Sequence, residues 1–164
     1  MMTRQDFFRH SIVLALTLTG GAALADPADV PYPEGYRNWT HVKSMVIEDV
    51  HPLYDSFGGI HHLYANDLAL QGYRSGQFPD GAVIVFDLLE TVRAEGALSE
   101  GTRKVLGVMV KDSAAYAATG GWGFEGWAGG DPERPVVGAA AGEACYACHT
   151  AVENTGFVFS SLRD

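Results

Sequence analysis

The segment Cys145-Tyr146-Ala147-Cys148-His149 carries the clearest chemistry in the chain. Two thiols followed at once by a histidine form the C-x-x-C-H pattern of c-type haem attachment. The thiols would form thioether bonds to the two haem vinyl groups, and His149 would ligate the iron from the proximal side. The chain has only two cysteines, so this motif takes up all of its thiols. It therefore predicts one covalently bound haem c.

Two other uses of a C-x-x-C pair compete with haem attachment. A zinc site would need two further ligands at short spacing, and no second cysteine pair or H-x-x-x-H pattern follows the motif. A thioredoxin-like redox motif would open a helix after an early strand, whereas these cysteines lie near the end of the chain. The added histidine favours haem over both of these, and over a chance pair of cysteines.

The N-terminus has the composition of a secretory signal peptide. Arg4 and Arg9 supply a basic start, residues 11–18 are almost wholly apolar, and Ala23-Leu24-Ala25 offers small residues at a cleavage site. The apolar segment is too short for a stable bilayer span, although an uncleaved anchor is the alternative. We therefore predict cleavage after Ala25 and export to the periplasm, where c-type haem is attached in bacteria.

Cleavage there would divide the chain into a signal peptide, residues 1–25, and one domain, residues 26–164. A domain of that length can bury a core of its own. The formal net charge of the whole chain is −9, which argues against nucleic acid and anionic membranes as partners. The acidity is compatible with a basic redox partner protein, but it is equally expected of any soluble domain.

Hydrophobic periodicity predicts a strand-rich domain. Strands are expected at residues 39–47, 59–65, 82–89, 103–111, 122–127 and, as a short closing strand, 157–159. A short helix is expected at residues 67–74, with Asn66 as its N-cap and Gly76 at its end. Residues 139–149 are the most helix-prone segment, so the haem motif is expected on a C-terminal helix.

The late position of the motif and the strand pattern narrow the class of haem protein. Small helical cytochromes carry C-x-x-C-H near the N-terminus, whereas the four-helix-bundle cytochromes c′ carry it near the C-terminus, as this chain does. A four-helix bundle needs long apolar segments with a 3.6-residue period. The 20 glycines spread along the chain, together with several strand-like segments, exclude that fold.

Six sequence blocks, taken in order, resemble the cytochrome P460 family, including its cytochrome c′-beta members. The blocks are YRNW, FPDGAVIVFDLLE, VKDSAAYA, GGWGFEGW, CYACH and ENTGFVFS. The resemblance implies an α+β fold, mainly an antiparallel β sheet with a few short helices, and one haem per chain, usually in a homodimer. It also implies a five-coordinate iron with His149 on the proximal side and an open distal side.

Two positions differ from the family members that oxidise hydroxylamine. In those, a lysine cross-linked to the porphyrin lies on the strand after the D-G turn, where this chain has Phe86. Those members also have a distal carboxylate that accepts protons, and this chain has Gly107 at that position. A positioned base is therefore missing as well. The resemblance therefore implies a protein of the cytochrome c′-beta type, which binds small gases such as nitric oxide or transfers single electrons. An enzyme that oxidises hydroxylamine or nitric oxide is the alternative.

Phe86 and His61 are the candidate residues of the distal pocket. A bulky apolar ring over the iron would exclude water and favour neutral diatomic ligands, since charge is expensive in a dry pocket; a core position is an equally good interpretation of Phe86. His61 and His62 are adjacent on a strand and point to opposite faces. The resemblance to the family implies that His61 is the one that faces the haem, where it could hydrogen-bond a ligand or bind iron. The alternative is that His61 has only a structural role.

Other side chains could contact the porphyrin or its iron. Met109 is a possible sixth ligand, although methionine more often fills a core. Cationic side chains could bind the propionates and aromatic rings could stack on the macrocycle, with solvated charges and ordinary packing as the alternatives. These candidates are Lys43, Lys111 and Arg37, and Trp122, Phe124 and Trp127.

Overall fold

The computed structural model describes residues 30–163, and the expected signal peptide lies outside this range. Five strands form one sheet in sequence order, and each strand pairs antiparallel with the next. The strands are β1 (Thr40–Ile47), β2 (Gly59–Ala65), β3 (Val83–Ala94), β4 (Ala97–Lys111) and β5 (Trp122–Ala128). The expected α+β fold with a mainly antiparallel sheet is confirmed.

The helices are short and lie between and after the strands. They are α1 (Tyr54–Phe57), α2 (Asp67–Ser75) and α3 (Ala147–His149), with single turns at Tyr36–Asn38, Ala117–Thr119, Gly138–Ala140, Gly142–Tyr146 and Thr150–Thr155. The Asn66 side chain accepts a hydrogen bond from Ala69 N at 2.9 Å, and Gly76 adopts a left-handed φ of 77°. The predicted N-cap and end of α2 are therefore confirmed. Within residues 30–163, none of the helices has the length and apolar character needed to cross a bilayer.

β3 and β4 form a hairpin that is longer than the sequence pattern indicates. Glu95 and Gly96 both have positive φ, 51° and 79°, as the tight two-residue turns of β-hairpins require. The pairing shifts register between Leu88 and Thr91, so the hairpin tip continues past a bulge. The tip is exposed and lacks the alternation that marks half-buried strands. For this reason the sequence pattern predicted strands only at residues 82–89 and 103–111.

Both faces of the sheet are covered, because side chains alternate between them. One face, here called the arm face, is packed by the N-terminal arm, residues 30–39. It holds Val30, Tyr36, Val85, Leu106, Val108, Tyr116 and Trp127. The motif face is packed by α2 and the C-terminal segment and holds Val42, Ala65, Ala69, Leu70, Ala82, Ile84, Met109, Trp122, Phe124, Ala141 and Val158. The haem motif therefore lies on one side of the sheet, and the N-terminal arm lies on the other.

Asp87 fastens the arm to the sheet. Its side chain is 4% exposed and accepts hydrogen bonds from the Tyr36 hydroxyl at 2.7 Å and from the Arg103 guanidinium. Arg37 approaches the same carboxylate at 3.6 Å. Burial and the bond to Asp87 raise the pKa of Tyr36, so its hydroxyl remains a donor. The buried carboxylate is thus surrounded by donors from both the arm and β4.

We predict that Arg103→Met lowers the free energy of unfolding by about 3 kcal/mol, because it leaves Asp87 buried without its main cation. The matched control is Arg93→Met, which removes an ion pair with Glu48 whose side chains are 66% and 58% exposed. That control should lose less than about 1 kcal/mol. Urea denaturation measures both values, and equal losses would contradict the structural role assigned to Asp87.

Candidate functional site

The two cysteines lie on the C-terminal helical segment, as expected. Cys145 is half-buried in the turn Gly142–Tyr146, Cys148 is exposed in α3, and both are free thiols. Residues three apart on a helix are neighbours on its surface, so both thiols lie along one side of the segment. Burial raises the pKa of Cys145, and the charge of Glu125 adds to this effect.

His149 is oriented by a backbone carbonyl. Its Nδ1 atom lies 2.6 Å from the carbonyl oxygen of Phe157. A carbonyl only accepts, so Nδ1 carries the proton and Nε2 keeps its lone pair. Burial lowers the pKa of His149, which favours the neutral imidazole. A histidine held at Nδ1 with a free Nε2 is the arrangement that metal-binding histidines usually have.

A left-handed turn places the Phe157 carbonyl next to His149. Gly156 and Phe157 have φ values of 70° and 66°, and the left-handed region is unfavourable for a bulky residue such as phenylalanine. Such strain costs on the order of 1–3 kcal/mol and is found mostly at functional sites. The short strand expected at residues 157–159 is therefore wrong. Its three consecutive apolar residues follow instead from a turn that brings the chain back to His149.

Aromatic rings surround the His149 imidazole and the turn that holds it. The ring centroids of Phe124 and Phe159 lie 5.1 Å and 5.0 Å from that of His149. The indole of Trp122 is buried and donates to the carbonyl of Gly156 at 2.9 Å. Trp127, in contrast, lies on the arm face against Tyr32. Trp122 and Phe124 are thus near the motif, and Trp127 is not.

Glu125 fastens the segment that leads into the motif, and sequence reasoning did not identify it. Its carboxylate is 5% exposed and accepts hydrogen bonds from the backbone N–H groups of Gly126 at 2.7 Å, Val137 at 2.8 Å and Gly138 at 3.0 Å. The bonds tie the chain just before the motif to the edge strand β5. A glutamate in an alternating aromatic strand carries no sequence signal for such a role.

The structure brings the two candidate distal residues together. The ring centroids of His61 and Phe86 are 4.6 Å apart, and Phe57 in α1 packs edge-on against Phe86 at 5.8 Å. His61 is 3% exposed, and its Nδ1 has no hydrogen-bond partner. His62 points to the other face, where its Nδ1 lies 2.6 Å from Ser44 Oγ. Phe57 was missed because α1 is a single exposed turn without periodicity.

Phe86 belongs to the motif face and lies beside two glycines. Leu63, Phe86, Gly107 and Gly126 are direct cross-strand neighbours in one row. The three atoms nearest to a Cβ atom at Gly107 would all belong to Phe86, the closest at an ordinary contact distance of 3.6 Å. The row therefore presents one large ring and no titratable side chain at its centre, on the face that the motif segment covers.

The remaining candidates have other partners. Met109 is buried in the motif-face core, opposite Phe124 in the strand register, which fits its packing role. Lys43 donates to Ser161 Oγ at 2.8 Å, and Lys111 donates to the carbonyl of Gly120 at 2.9 Å. Arg37 lies on the arm face beside Asp87 and is not near the motif.

An antiparallel sheet covered by a C-x-x-C-H segment defines a β-sheet class of haem c proteins. The sequence profile of the cytochrome P460 family matches residues 33–160, and the chain belongs to that family. No match is found among curated proteins. Membership implies haem c, and the donor set fits it, with two free thiols, an imidazole with a free Nε2 and flanking aromatic rings.

We predict that His61 makes stability depend on pH between about 4 and 6.5. Burial, together with the charge of His62, lowers the pKa of His61 to about 4, whereas an unfolded histidine titrates near 6.5. Its contribution to stability is therefore complete above about pH 6.5 and is lost as the pH falls toward 4.

Urea denaturation at pH 7.5 and 4.5 measures this effect. The loss on acidification should be roughly 2 kcal/mol smaller in His61→Leu than in the wild type. The control is His51→Gln, a change at an exposed histidine, which should keep the wild-type loss. An unchanged pH dependence in His61→Leu would show that His61 does not titrate as a buried group.

Proposed function

We propose that this protein is a periplasmic cytochrome that carries one covalent haem c, binds small neutral gases such as nitric oxide, and can transfer single electrons. Cys145 and Cys148 would hold the haem, with His149 as the proximal ligand. The expected signal peptide, residues 1–25, would be removed on export. Following the family resemblance, we also infer a homodimer and a redox partner protein.

The observation that carries this proposal is the 2.6 Å contact between His149 Nδ1 and the Phe157 carbonyl. It fixes the tautomer and the plane of the imidazole before any ligand binds, and it raises the basicity of Nε2. When bound, the haem iron supplies one-electron redox chemistry and a position for a small ligand. The chain supplies the anchoring thiols, the oriented imidazole and the apolar walls.

Apolar side chains favour a gas over an ionic ligand. Phe86 is packed between Phe57 and His61 on the motif face, so the group nearest to its ring is neutral at physiological pH, since the pKa of His61 is lowered to about 4. Charged ligands lose hydration in such surroundings without gaining a partner, and neutral diatomic molecules do not. This arrangement supports binding of nitric oxide or a molecule of similar size.

The same residues argue against hydroxylamine oxidation. Phe86 has no amine for a porphyrin cross-link, and Gly107 has no carboxylate to accept a proton. His61 is the titratable group beside Phe86, and a base with a pKa of about 4 is poorly matched to proton removal at neutral pH. Oxidation of hydroxylamine or nitric oxide is therefore the alternative outcome of the test below.

An absorption spectrum of the purified protein, oxidised, reduced and with nitric oxide, tests the proposal. We expect haem that survives acid–acetone extraction, a five-coordinate resting iron and a spectral change on adding nitric oxide. Cys145→Ala with Cys148→Ala should abolish covalent attachment. A six-coordinate low-spin resting spectrum would contradict the open distal side, and steady turnover of hydroxylamine with an electron acceptor would favour the enzyme.

We also predict that Phe86→Ala speeds the binding of nitric oxide to the reduced protein by roughly tenfold, because it removes the ring that limits access and lets water enter. The control is Leu53→Ala, an exposed position just before α1, which should keep the wild-type rate. Stopped-flow absorption measures both rates. Equal rates in Phe86→Ala and the wild type would show that Phe86 is only a core residue.

A further inference from the structure

Glu125 is a buried carboxylate to which the proposed haem site assigns no role. It is 5% exposed, and all three of its hydrogen bonds come from backbone N–H groups. Among residues 30–163 it forms no ion pair with a lysine, arginine or histidine. A carboxylate oxygen accepts hydrogen bonds, so three N–H donors satisfy this side chain in place of a cation. The site thus contains a buried carboxylate without a counter-cation.

That carboxylate lies at the edge of the sheet, because the Glu125 side chain leaves β5 on the side of Val108 and reaches the segment that leads into the haem motif. Glu125 holds Val137 and Gly138, directly before the helical segment that carries the cysteines. Ala141 and Cys145 of this segment pack into the motif-face core. The charge of Glu125 is close enough to Cys145 to contribute to the raised pKa of that thiol. A group bonded at Cys145 would feel the same field.

We propose that Glu125 is a positioning residue that fixes the start of the motif segment and, through its charge, stabilises the ferric over the ferrous iron. The inference rests on the proposed function, because it concerns the haem bound at Cys145 and Cys148. Reduction adds one electron from an external one-electron donor and removes one positive charge, with no bond changed at Glu125. A nearby negative charge of low exposure opposes that step.

Spectroelectrochemical titration of the haem-loaded protein tests the inference with matched variants. Glu125→Gln removes the charge and keeps the size, and should shift the ferric–ferrous equilibrium toward ferrous by roughly tenfold, about 59 mV for one electron. Glu125→Asp keeps the charge but shortens the side chain, and should shift the equilibrium less than threefold. Both variants should lower the thermal midpoint, since both disturb the hydrogen bonds to the segment.

Asp87→Asn is the control for loss of a buried carboxylate. Asp87 is 3% exposed, lies on the arm face and is paired with Arg103, so this variant should leave the equilibrium within twofold of the wild type. Equal shifts in Glu125→Gln and Asp87→Asn would overturn the inference, because net charge alone would then explain both. Equal shifts in Glu125→Gln and Glu125→Asp would overturn it as well, since geometry would then explain both.

A second pair of variants keeps the test decisive if Glu125→Gln fails to fold. Val136→Lys adds a cation beside Val137 at an exposed position, and should shift the equilibrium toward ferrous by roughly threefold; Val92→Lys, exposed at the hairpin tip, should not. If Glu125→Gln folds and its ferric–ferrous equilibrium is unshifted, the inference is overturned. If Glu125→Gln does not fold, an unshifted equilibrium in Val136→Lys overturns it. Intact nitric oxide binding would then leave the proposed function standing. A wild-type protein without covalent haem would overturn both.

Discussion

The conformation of the chain around the haem motif depends on the hydrogen bond between His149 Nδ1 and the Phe157 carbonyl. To form it, the chain must reverse within eight residues, and the reversal places a phenylalanine in the left-handed region. Trp122 holds the preceding carbonyl and Phe124 packs against the imidazole. The strain at Phe157 is thus compensated by contacts from a rigid strand, as strained positions at functional sites generally require.

The buried polar side chains of the sheet are compensated to different degrees. On the arm face, Asp87 is buried with Tyr36 and Arg103, so its charge is matched by donors. Glu125, on the edge strand β5, accepts only from backbone N–H groups and has no cationic partner among residues 30–163. On the motif face, His61 is buried with an Nδ1 atom that has no hydrogen-bond partner. A buried polar group without a partner destabilises a fold, which is a physical reason to look for function beside His61.

The sequence predicted those parts of the fold that local rules determine. β2 was predicted at its observed bounds, because it begins at a glycine and is followed by an N-capped helix. α2 was predicted to within one residue, because Asn66 and Gly76 mark its two ends. Attachment chemistry was predicted from Cys145, Cys148 and His149, because their spacing is specific. These signals are short-range, so one sequence suffices to detect them.

The parts that sequence did not predict depend on contacts between distant segments. The hairpin tip of β3 and β4 is exposed and has no alternation, while α1 is one exposed turn whose Phe57 contacts Phe86. Glu125 is positioned by N–H groups twelve and thirteen residues away. The turn at Phe157 overrides a strand-like pattern, because a tertiary hydrogen bond to His149 outweighs local propensity.

The positions of the buried charges connect the two sides of the proposed haem site. On the side of Phe86, the one buried titratable neighbour described, His61, is kept neutral by desolvation, so selection there depends on size and polarity. At the start of the motif segment, Glu125 accepts hydrogen bonds from backbone N–H groups in place of water. In the proposed site, a neutral ligand side and a carboxylate at the start of the motif segment would let the chain set the redox preference of the iron without attracting ions to its ligand position. Ligand choice and electron affinity could then be adjusted separately, through Phe86 and His61 on β3 and β2 and through Glu125 on β5.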